Sequence, residues 1–586
     1  MSDKTLLKSL FTLFFLLVST NIPATDSPAV GTLQSDGATA HTLSIILPVK
    51  AGDDNRNSRV QVHYRRSGQT AFQQSLDMFR NKDDAAPYAG MIPGLRPDTS
   101  YDVRITAIDA DGIQGAAQQI IKLRTRAIPP VVTRGNRISV ANTRALHSAL
   151  RAAKAGDIIL LGPGTYQGPF KMENRNGTIK SSIVIRGAAN FASNIEGGLQ
   201  ISNCNYIHVE GLLVQHAVKG IEIRDWTDSN GTVGNVIRGN HIKNVDLGIV
   251  AKPNGRTGGH RNLYIVDNHL EGNNVFGDTS RDTWNDEGIV VGGQNIEVAY
   301  NTISGFGDSL GMTRSDSPPN RSIDIHHNYV RWGGDDGVEM DFSDRNTQAH
   351  HNLLTNIHDG ISFQMVYNGP AYAYRNVIYN TEFNAGPYKI KPEAECNDGV
   401  FIYNNTALNA NRGWTNYSGC GSDISIVNNL FTGDGAMRQT ILAGSSHWNN
   451  LSWDYNAYAN DGSIEIGNLS YHNFAGWKNA PLGNHDVLLE PEKVFATMSL
   501  LHPQKGLGIY RDAAGKDFSL AAKSSAIDAG KDIPGITDGF TGSAPDIGAC
   551  EQGRAAAHYG VRNTAAVPAG SGKTMQAIPV QGKNDA

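Results

Sequence analysis

The sequence has few cysteines, little charge for its length and no excess of basic residues. Only four cysteines occur in 586 residues, and none of them forms a CxxC pair or a cysteine–histidine spacing typical of a zinc site. Charged residues make up 18% of the chain, and the net charge of −5 leaves no electrostatic footprint for nucleic acid. Zinc-ribbon chemistry and a nucleic-acid partner are therefore not expected.

Long apolar runs are absent after the first twenty residues. Residues 1–24 combine a basic start (Lys4, Lys8), the apolar segment Ser9–Thr20 and a small residue, Ala24, which is the pattern of a secretory signal peptide. The apolar segment is short for a membrane span, and no later segment is apolar enough to cross a bilayer. We predict a secreted or periplasmic protein without stable membrane insertion; an uncleaved anchor is the alternative.

Helical periodicity is scarce, whereas short strands that end in asparagine recur through the middle of the chain. The repeated residues are Asn240, Asn268, Asn301, Asn328, Asn352, Asn376, Asn405, Asn429 and Asn456. Their spacing of 24 to 33 residues predicts stacked units made only of strands and turns. A parallel β-helix fits this period, with the asparagines stacked in an internal hydrogen-bonded ladder. Leucine-rich repeats lack their consensus here, and propeller blades need about 40 residues or more.

The two ends of this repeat carry covering segments. Residues 142–154 predict an amphipathic helix with Asn142 or Thr143 as N-cap, followed by a strand over residues 157–161. This opening, together with the segments at 518–530 and 545–553, resembles secreted right-handed β-helix proteins, which include polysaccharide lyases. The resemblance implies a β-helix over residues 138–553, and the Ala/Gly/Pro/Lys-rich residues 554–586 are predicted to be a disordered tail.

Residues 30–126 show a different pattern, with period-2 alternation typical of a β-sandwich. The segment Leu95–Val103, LRPDTSYDV, resembles the tyrosine-corner segment of fibronectin type III domains. The predicted fold is thus all-β: a right-handed parallel β-helix preceded by a fibronectin type III-like β-sandwich. Spacing or docking is the expected role of the sandwich, with carbohydrate binding as the alternative.

Cysteine positions predict one disulfide. Cys396 and Cys420 each lie nine residues before a ladder asparagine, so they share a phase in adjacent coils at a distance that allows a bridge. A Cys396–Cys420 disulfide is predicted, with stacked free thiols as the alternative. Cys204 and Cys550 have no evident partner.

The stretch from Gly333 to Pro392 concentrates carboxylates, a histidine and lysines. Four residues lie 14 to 17 positions before a ladder asparagine and are expected near one corner of the coils: Glu287, Asp336, Asp359 and Lys389. Alternation along each strand sends Val338 and Met340 inward and predicts one outward-facing wall. Its members are Glu339, Asp341, Ser362, Gln364, Lys389 and Lys391. Trp332, Tyr388 and Trp414 are the expected stacking faces for sugars.

The sequence Asp335-Asp336-Gly337-Val338-Glu339 resembles the DDGxD calcium site of lysine-base β-helix pectate lyases, with Glu in place of the last Asp. Tyr388-Lys389 resembles the aromatic–lysine pair that carries the base in those enzymes, although it lies an extra coil away. The resemblance implies Ca²⁺ held by Asp335, Asp336 and Glu339 with help from Asp308 or Asp286. It also implies that Lys389 is a base for β-elimination, provided that its neighbours lower its pKa.

The same stretch resembles polygalacturonases, whose motifs have the order Asp-Asp, Gly-His-Gly, Arg-Ile-Lys. Here they read Asp335-Asp336, then His358-Asp359-Gly360, then Lys389-Ile390-Lys391. This resemblance implies an inverting hydrolase with Asp336 as acid and Asp335 as base. Lys stands for Arg, Asp stands for Gly, and the Asn-Thr-Asp of the preceding coil is missing. A non-enzymatic glycan-binding or adhesin-like solenoid is the third hypothesis.

Of these, the cation-assisted lyase acting on an anionic, uronate-containing polysaccharide is favoured, because the acidic cluster looks more like a metal site than an acid–base pair. A monomer is expected. The predicted catalytic residues are Lys389, Asp336 and His358. The predicted substrate-binding residues are Lys391, Gln364, Trp332 and Tyr388. The predicted Ca²⁺ ligands are Asp335, Asp336, Glu339 and Asp308.

Overall fold

The computed structural model describes most of the chain from residue 26 to residue 562. The described ranges are 26–53, 55–81, 86–225, 231–253, 259–274, 286–313, 320–382, 385–390, 397–408, 415–416, 421–433, 439–441, 448–459, 461–466, 469–501 and 509–562. The predicted signal peptide, Lys391, Trp414 and the cysteines at 396 and 420 lie outside them. No helix among these residues is long and apolar enough to cross a membrane.

The N-terminal module is a β-sandwich of two four-stranded antiparallel sheets. One sheet has the order Gln118–Arg124, Ser100–Ile108, Arg59–Arg66 and Gln73–Gln74; the other has the order Gln34–Ala38, Leu43–Leu47, Tyr88–Ile92 and Phe79–Arg80. A short pair, Ala29–Val30 with Val49–Ala51, lies beside them. Alternating residues of the long strands, such as Val103 and Ile105, are fully buried between the sheets. The amide of Arg96 donates to the Tyr101 hydroxyl at 2.9 Å, which is the contact of a tyrosine corner.

The described residues from Asn136 to Leu488 form a right-handed parallel β-helix with three faces. Strands of the first face are Asn136–Val140, Asp157–Leu161, Ile183–Arg186, Ile207–Glu210, Val236–Arg238, Tyr264–Val266, Gly293–Ala299, Asn320–His326, Thr347–His350, Ala371–Tyr374, Asn397–Tyr403, Gly421–Val427 and Trp448–Asp454, with His260–Arg261 and Ser343–Arg345 at its side. Strands of the second face are Gly164–Gln167, Ser193–Glu196, His269–Gly272, Thr302–Phe306, Tyr329–Gly333, Leu353–Ile357, Val377–Thr381, Thr406–Leu408, Leu430–Phe431, Ala457–Tyr458 and Val487–Leu488.

The third face carries the candidate site. Its strands are Phe170–Glu173, Leu199–Ser202, Glu287–Val291, Asp308–Met312, Asp336–Glu339, Asp359–Phe363, Tyr388–Ile390 and Thr415–Asn416. Two long strands, Leu213–Arg224 and His241–Ala251, turn from the second face onto the third. Beyond these faces lie Gln439–Ile441, Ile464–Ile466 and Leu469–Tyr471, which form a small sheet. Because each strand pairs with its counterpart in the next coil, side chains of equal phase stack in columns.

The asparagine ladder predicted from the spacing is confirmed at all nine positions. Asn376 is typical: its amide and its Nδ2 both donate to Oδ1 of Asn405, and Nδ2 also donates to the Ala349 carbonyl. All nine ladder side chains are fully buried. The last rung, Asn456, donates its backbone amide to Asp486, which thereby ends the ladder. The corner between the first two faces is thus held in one register from coil to coil.

The opening of the β-helix is covered by the predicted cap. The helix Thr143–Ala152 begins at Asn142, whose side chain accepts from the Ala145 amide, and it buries Leu146, Ala149 and Leu150. The next strand is Asp157–Leu161, as predicted. At the far end, Phe474–Trp477 forms a short helix, and two short 3₁₀ segments occur at Ala189–Phe191 and Pro491–Lys493.

The sandwich packs against the first face and leaves the third face to the candidate site. Arg345 pairs with Asp36 through two hydrogen bonds of 2.8 Å, and Thr39 Oγ1 donates to the fully buried Asp324. The two modules are therefore joined by buried, charge-assisted contacts, which are stronger than neutral hydrogen bonds.

The described chain extends nine residues beyond the predicted end of the β-helix at Gly553. Arg562 pairs with Asp267 at 2.6 Å and lies over the Tyr300 ring, so this part of the predicted disordered tail is packed on the β-helix. Residues 563–586 lie outside the described residues.

The predicted disulfide also lies outside the described residues, although the residues after the two cysteines, Asn397 and Gly421, are aligned in adjacent strands. Cys204 and Cys550 are free.

Candidate functional site

A column of stacked carboxylates runs along the leading edge of the third face. Glu287 is aligned with Asp308, and Asp336 with Asp359. The Asp336 amide donates to Asp308 Oδ1 at 3.2 Å, which joins the two pairs. Four successive strands of this face begin with an acid, so the repeat brings these four carboxylates to a spacing of about 4.8 Å per coil.

Burial and mutual repulsion dominate the electrostatics of this column. The pKa of Asp308 is well above its ordinary value because of burial and because Asp335 lies nearby. Burial likewise holds the pKa of Asp336 well above its usual range, although Lys389 opposes the shift. The pKa of Asp359 is raised by burial as well. Like charges this close favour a bound cation or a proton.

Lys389 supplies a positive charge to the column from two coils away. Its Nζ lies 2.5 Å from Asp336 Oδ2 and 3.7 Å from Asp335 Oδ1. Burial by itself lowers the Lys389 pKa, but Asp336, Asp335 and further carboxylates outweigh it and raise the pKa above the ordinary value. The condition for Lys389 to act as a base, that its neighbours lower its pKa, is therefore not met by these neighbours alone, because they are carboxylates.

The strand register shows that Lys389 does not share a corner with Glu287, Asp336 and Asp359, as the sequence had predicted. Lys389 is aligned with Ser362, which is aligned with Glu339, whereas the Gly386 amide donates to Asp359. Lys389 thus does not belong to the acidic column. It stands three residues further along its strand and reaches the column through its long side chain.

The outward wall predicted from alternation is more enclosed than an open groove. Val338 and Met340 are fully buried in the core, and Glu339, Ser362 and Lys389 share one column. Asp341 is 2% exposed and Ser362 0%, and Ser362 Oγ donates to Asp341 at 2.6 Å. The Gln364 amide also donates to Asp341, at 2.7 Å.

Two predicted sugar-stacking residues are placed differently. Tyr388 is aligned with the inward-facing Ile361 and is 0% exposed, so its assignment to substrate binding is wrong. Alternation sends its neighbour Lys389 outward and Tyr388 into the core. Trp332 belongs to a strand of the second face, where its half-buried ring meets Tyr510 edge to face at 6.3 Å. Lys391 lies outside the described residues.

The half-buried His358 pairs with a buried residue that sequence reasoning missed, Glu382. Its Nδ1 lies 3.0 Å from Glu382 Oε2, and its Nε2 lies 3.9 Å from Asp359 Oδ2. Burial lowers the His358 pKa, but the hydrogen bond to Glu382 and the charge of Asp359 outweigh it, so the net shift is upward. Glu382 follows His358 by 24 residues, which equals the ladder spacing of those coils, and this spacing is the signal that could have revealed the pair.

The donor set fits a hard divalent cation. Side-chain oxygens of Asp308, Asp335 and Asp336 lie within 4.8 Å of one another. Asp336 Oδ1 is buried without a hydrogen-bond partner. Three carboxylates with an orphaned oxygen match the all-oxygen ligands that Ca²⁺ takes in proteins. Glu339, the fourth predicted ligand, is not among the three converging oxygens; its pKa is raised well above the ordinary value by burial and then by the charge of Asp308.

No protein-family model and no curated protein matches this chain. Solved structures with similarity include a PL6 family alginate lyase, with 17% identity, TM-score 0.43, and coverage of 58% of this chain and 50% of that chain. A PL6 family polysaccharide lyase from Pseudopedobacter saltans has 15% identity and a TM-score of 0.38, and the match covers 60% of this chain and 91% of that chain. A Family 28 exopolygalacturonase from Yersinia enterocolitica has 13% identity and a TM-score of 0.36, and the match covers 76% of this chain and 99% of that chain. Similarities this distant do not decide an activity.

Proposed function

We propose that this protein is a secreted polysaccharide lyase that cleaves a uronate-containing polysaccharide by cation-assisted β-elimination. The observation that carries the proposal is the contact between Lys389 and the Asp308–Asp335–Asp336 cluster, in which a buried lysine reaches two of three converging carboxylates, Asp335 and Asp336. β-Elimination next to a carboxylate needs a base and a positive charge on the substrate carboxylate, and this cluster provides places for both.

Asp308, Asp335 and Asp336 are the residues that would hold the cation. A bound Ca²⁺ supplies the positive charge that offsets the uronate carboxylate and makes the C5 proton more acidic. Without the cation, Asp336 and Asp335 keep the Lys389 ammonium protonated. Lys389 therefore acts as a base only when these carboxylates are engaged elsewhere.

The proton balance assigns roles to two side chains. Lys389 Nζ takes the C5 proton, the C4–O4 bond breaks, and a C4–C5 double bond forms in the product. The leaving O4 then needs a proton. His358 is the donor in this proposal, because Glu382 favours its protonated form and its ring nitrogen lies within 4.8 Å of Asp335 and Asp359 oxygens.

An inverting hydrolase is the second candidate. The raised pKa of Asp336 suits a general acid. Against it, inverting carboxyl pairs stand about 6.5–9.5 Å apart to admit water, whereas oxygens of Asp335 and Asp336 lie within 4.8 Å.

The deciding experiment incubates the full-length protein with a panel of polyuronates and follows ultraviolet absorbance of the unsaturated product together with reducing ends. The lyase predicts both signals, with loss of both after EDTA and recovery with Ca²⁺. Reducing ends without ultraviolet absorbance would establish the hydrolase. Glycan binding without either signal would favour the adhesin-like alternative.

A further inference from the structure

Two histidines and a glutamate converge on the second face, apart from the acidic column. His241 and His269 are aligned in adjacent strands, and Glu271 follows two residues after His269 on the same side of its strand. Nε2 of each histidine lies 3.0 Å from the same oxygen, Glu271 Oε1. Their strand neighbours Ile242 and Leu270 are fully buried, so the three polar side chains project outward.

The asparagine ladder fixes this arrangement. His241 directly follows Asn240, and His269 directly follows Asn268. Asn240 Nδ2 donates to Asn268 Oδ1 at 3.0 Å. This hydrogen bond fixes the alignment of the two strands at the residues that directly precede the histidines. The Phe191 ring packs edge-on against His241 at 5.6 Å between centroids and supports that imidazole from one side. Ligands on rigid elements lose little entropy when they bind a metal.

The spacing is close to that of a coordinated ion. Metal–ligand bonds of about 2.0–2.1 Å at tetrahedral angles place ligand atoms about 3.3 Å apart. Both histidine–glutamate distances are 3.0 Å, and the two imidazole nitrogens lie within 4.8 Å of each other. Small side-chain rotations therefore suffice to admit an ion among the three atoms.

The donor types separate this site from the acidic cluster. Two imidazole nitrogens and one carboxylate suit Zn²⁺ and related transition ions, whereas Ca²⁺ takes oxygen ligands. The side chains of His241, His269 and Glu271 are 14%, 28% and 40% exposed, so an ion can enter while part of its shell is protein.

We propose that His241, His269 and Glu271 bind one divalent transition-metal ion of the zinc type, which links two adjacent coils of the β-helix. Three protein ligands leave a fourth position for water. The site works independently of the proposed elimination reaction, since its residues lie on another face and on other strands.

The test is a Co²⁺ titration of the metal-free full-length protein, because Co²⁺ in a nitrogen–oxygen site of low coordination number gives visible ligand-field absorption. One equivalent should bind with such absorption, and Zn²⁺ should displace it while excess Ca²⁺ should not. His241→Gln and His269→Gln should each weaken Co²⁺ binding by about 10- to 100-fold or more.

Two variants are matched controls for this titration. His216→Gln changes an exposed histidine of the same face that pairs with Glu196, and it should leave Co²⁺ binding unchanged. Asp336→Asn should also leave it unchanged, although it should weaken Ca²⁺ binding. Circular dichroism of the metal-free variants verifies folding.

The result that overturns the proposal is a wild-type protein with no Co²⁺ absorption, or absorption that survives both histidine substitutions. In the first outcome the trio is only a hydrogen-bonded cluster in which Glu271 accepts from both imidazoles. A second readout is thermal denaturation: Zn²⁺ should raise the midpoint in wild type and in His216→Gln, but not in His269→Gln.

Discussion

Lys389 places its Nζ 2.5 Å from Asp336 Oδ2, although 53 residues of sequence separate them. Strand Asp359–Phe363 lies between their strands, so the lysine side chain spans two coil steps. This ion pair joins the proposed base to the proposed cation site, and it determines several expected outcomes.

Replacing Lys389 with Met should strongly slow elimination while keeping much of the side-chain volume. We expect the rate on a cleaved polyuronate to fall by about 10²–10⁴-fold, the usual contribution of a positioned base. The measurement is initial velocity by ultraviolet absorbance. Lys493→Met, at a partly exposed lysine that pairs with Glu490, is the control and should retain full activity. Activity of Lys389→Met near the wild-type level would contradict the assignment.

Lys389→Met should also increase the affinity of the protein for Ca²⁺. The ammonium of Lys389 occupies the carboxylates that a divalent cation needs, so its removal takes away an intramolecular competitor. Isothermal titration with Ca²⁺ should give a lower Kd for Lys389→Met than for wild type. Asp336→Asn should weaken binding by about 10-fold or more, through loss of a charged ligand. Asp512→Asn, at an exposed acid, should leave the Kd unchanged. Equal affinities in all four proteins would argue against a site at this cluster.

Cation binding should strengthen as pH rises. The pKa values of Asp308 and Asp336 are raised in the cation-free protein, mainly by burial, so these groups hold protons to higher pH than exposed carboxyls. A cation binds the deprotonated forms and must displace those protons. Titrations in two buffers with different ionisation enthalpies should reveal proton release that decreases from acid to alkaline pH. A pH-independent Kd between the acid and neutral ranges would show that the carboxylates are already ionised.

The asparagine ladder should be a main source of stability. Asn376→Ala removes the two hydrogen bonds that its Nδ2 donates and leaves the Asn352 amide and side chain without their acceptor. We expect a loss of about 2–4 kcal/mol in the free energy of unfolding, because buried unsatisfied groups are costly. Urea denaturation measures it. Asn479→Ala, at an exposed asparagine, should change stability by less than about 0.5 kcal/mol.

Buried histidines should make the protein sensitive to mild acid. Burial lowers the pKa of His260 to about 4, and burial together with His326 lowers the pKa of His327 to about 2. The unfolded chain protonates near 6.5, so the stability from these groups is full above that pH and falls as pH drops toward 4. His326 opposes the trend, because carboxylates raise its pKa despite burial.

The corresponding measurement is the thermal midpoint between pH 7.5 and 5. It should fall with pH in the wild type, and His260→Gln should flatten the decrease since that side chain does not titrate. A midpoint that is constant over this range would show that acid protonation is not coupled to unfolding at these positions.

Periodicity was enough to predict the scaffold. The recurrence of Asn at 24 to 33 residues, together with alternation in the intervening strands, predicted a parallel β-helix and its ladder, because stacking identical rungs requires one residue per coil at one phase. The cap at Asn142 followed from local preferences alone. Clusters within one coil, such as Asp335 and Asp336, were equally visible.

Tertiary structure decided how side chains from different coils meet. Counting back from the asparagines placed Lys389 with Asp359, but turns of unequal length shift the register by three residues and align it with Ser362. The counting also missed Glu382 beside His358 and the imidazole pair at Glu271. Sequence by itself determined which residues recur from coil to coil. The lengths of the turns and of the long side chains determined which of these residues are in contact. Those contacts in turn determine the charge state of Lys389.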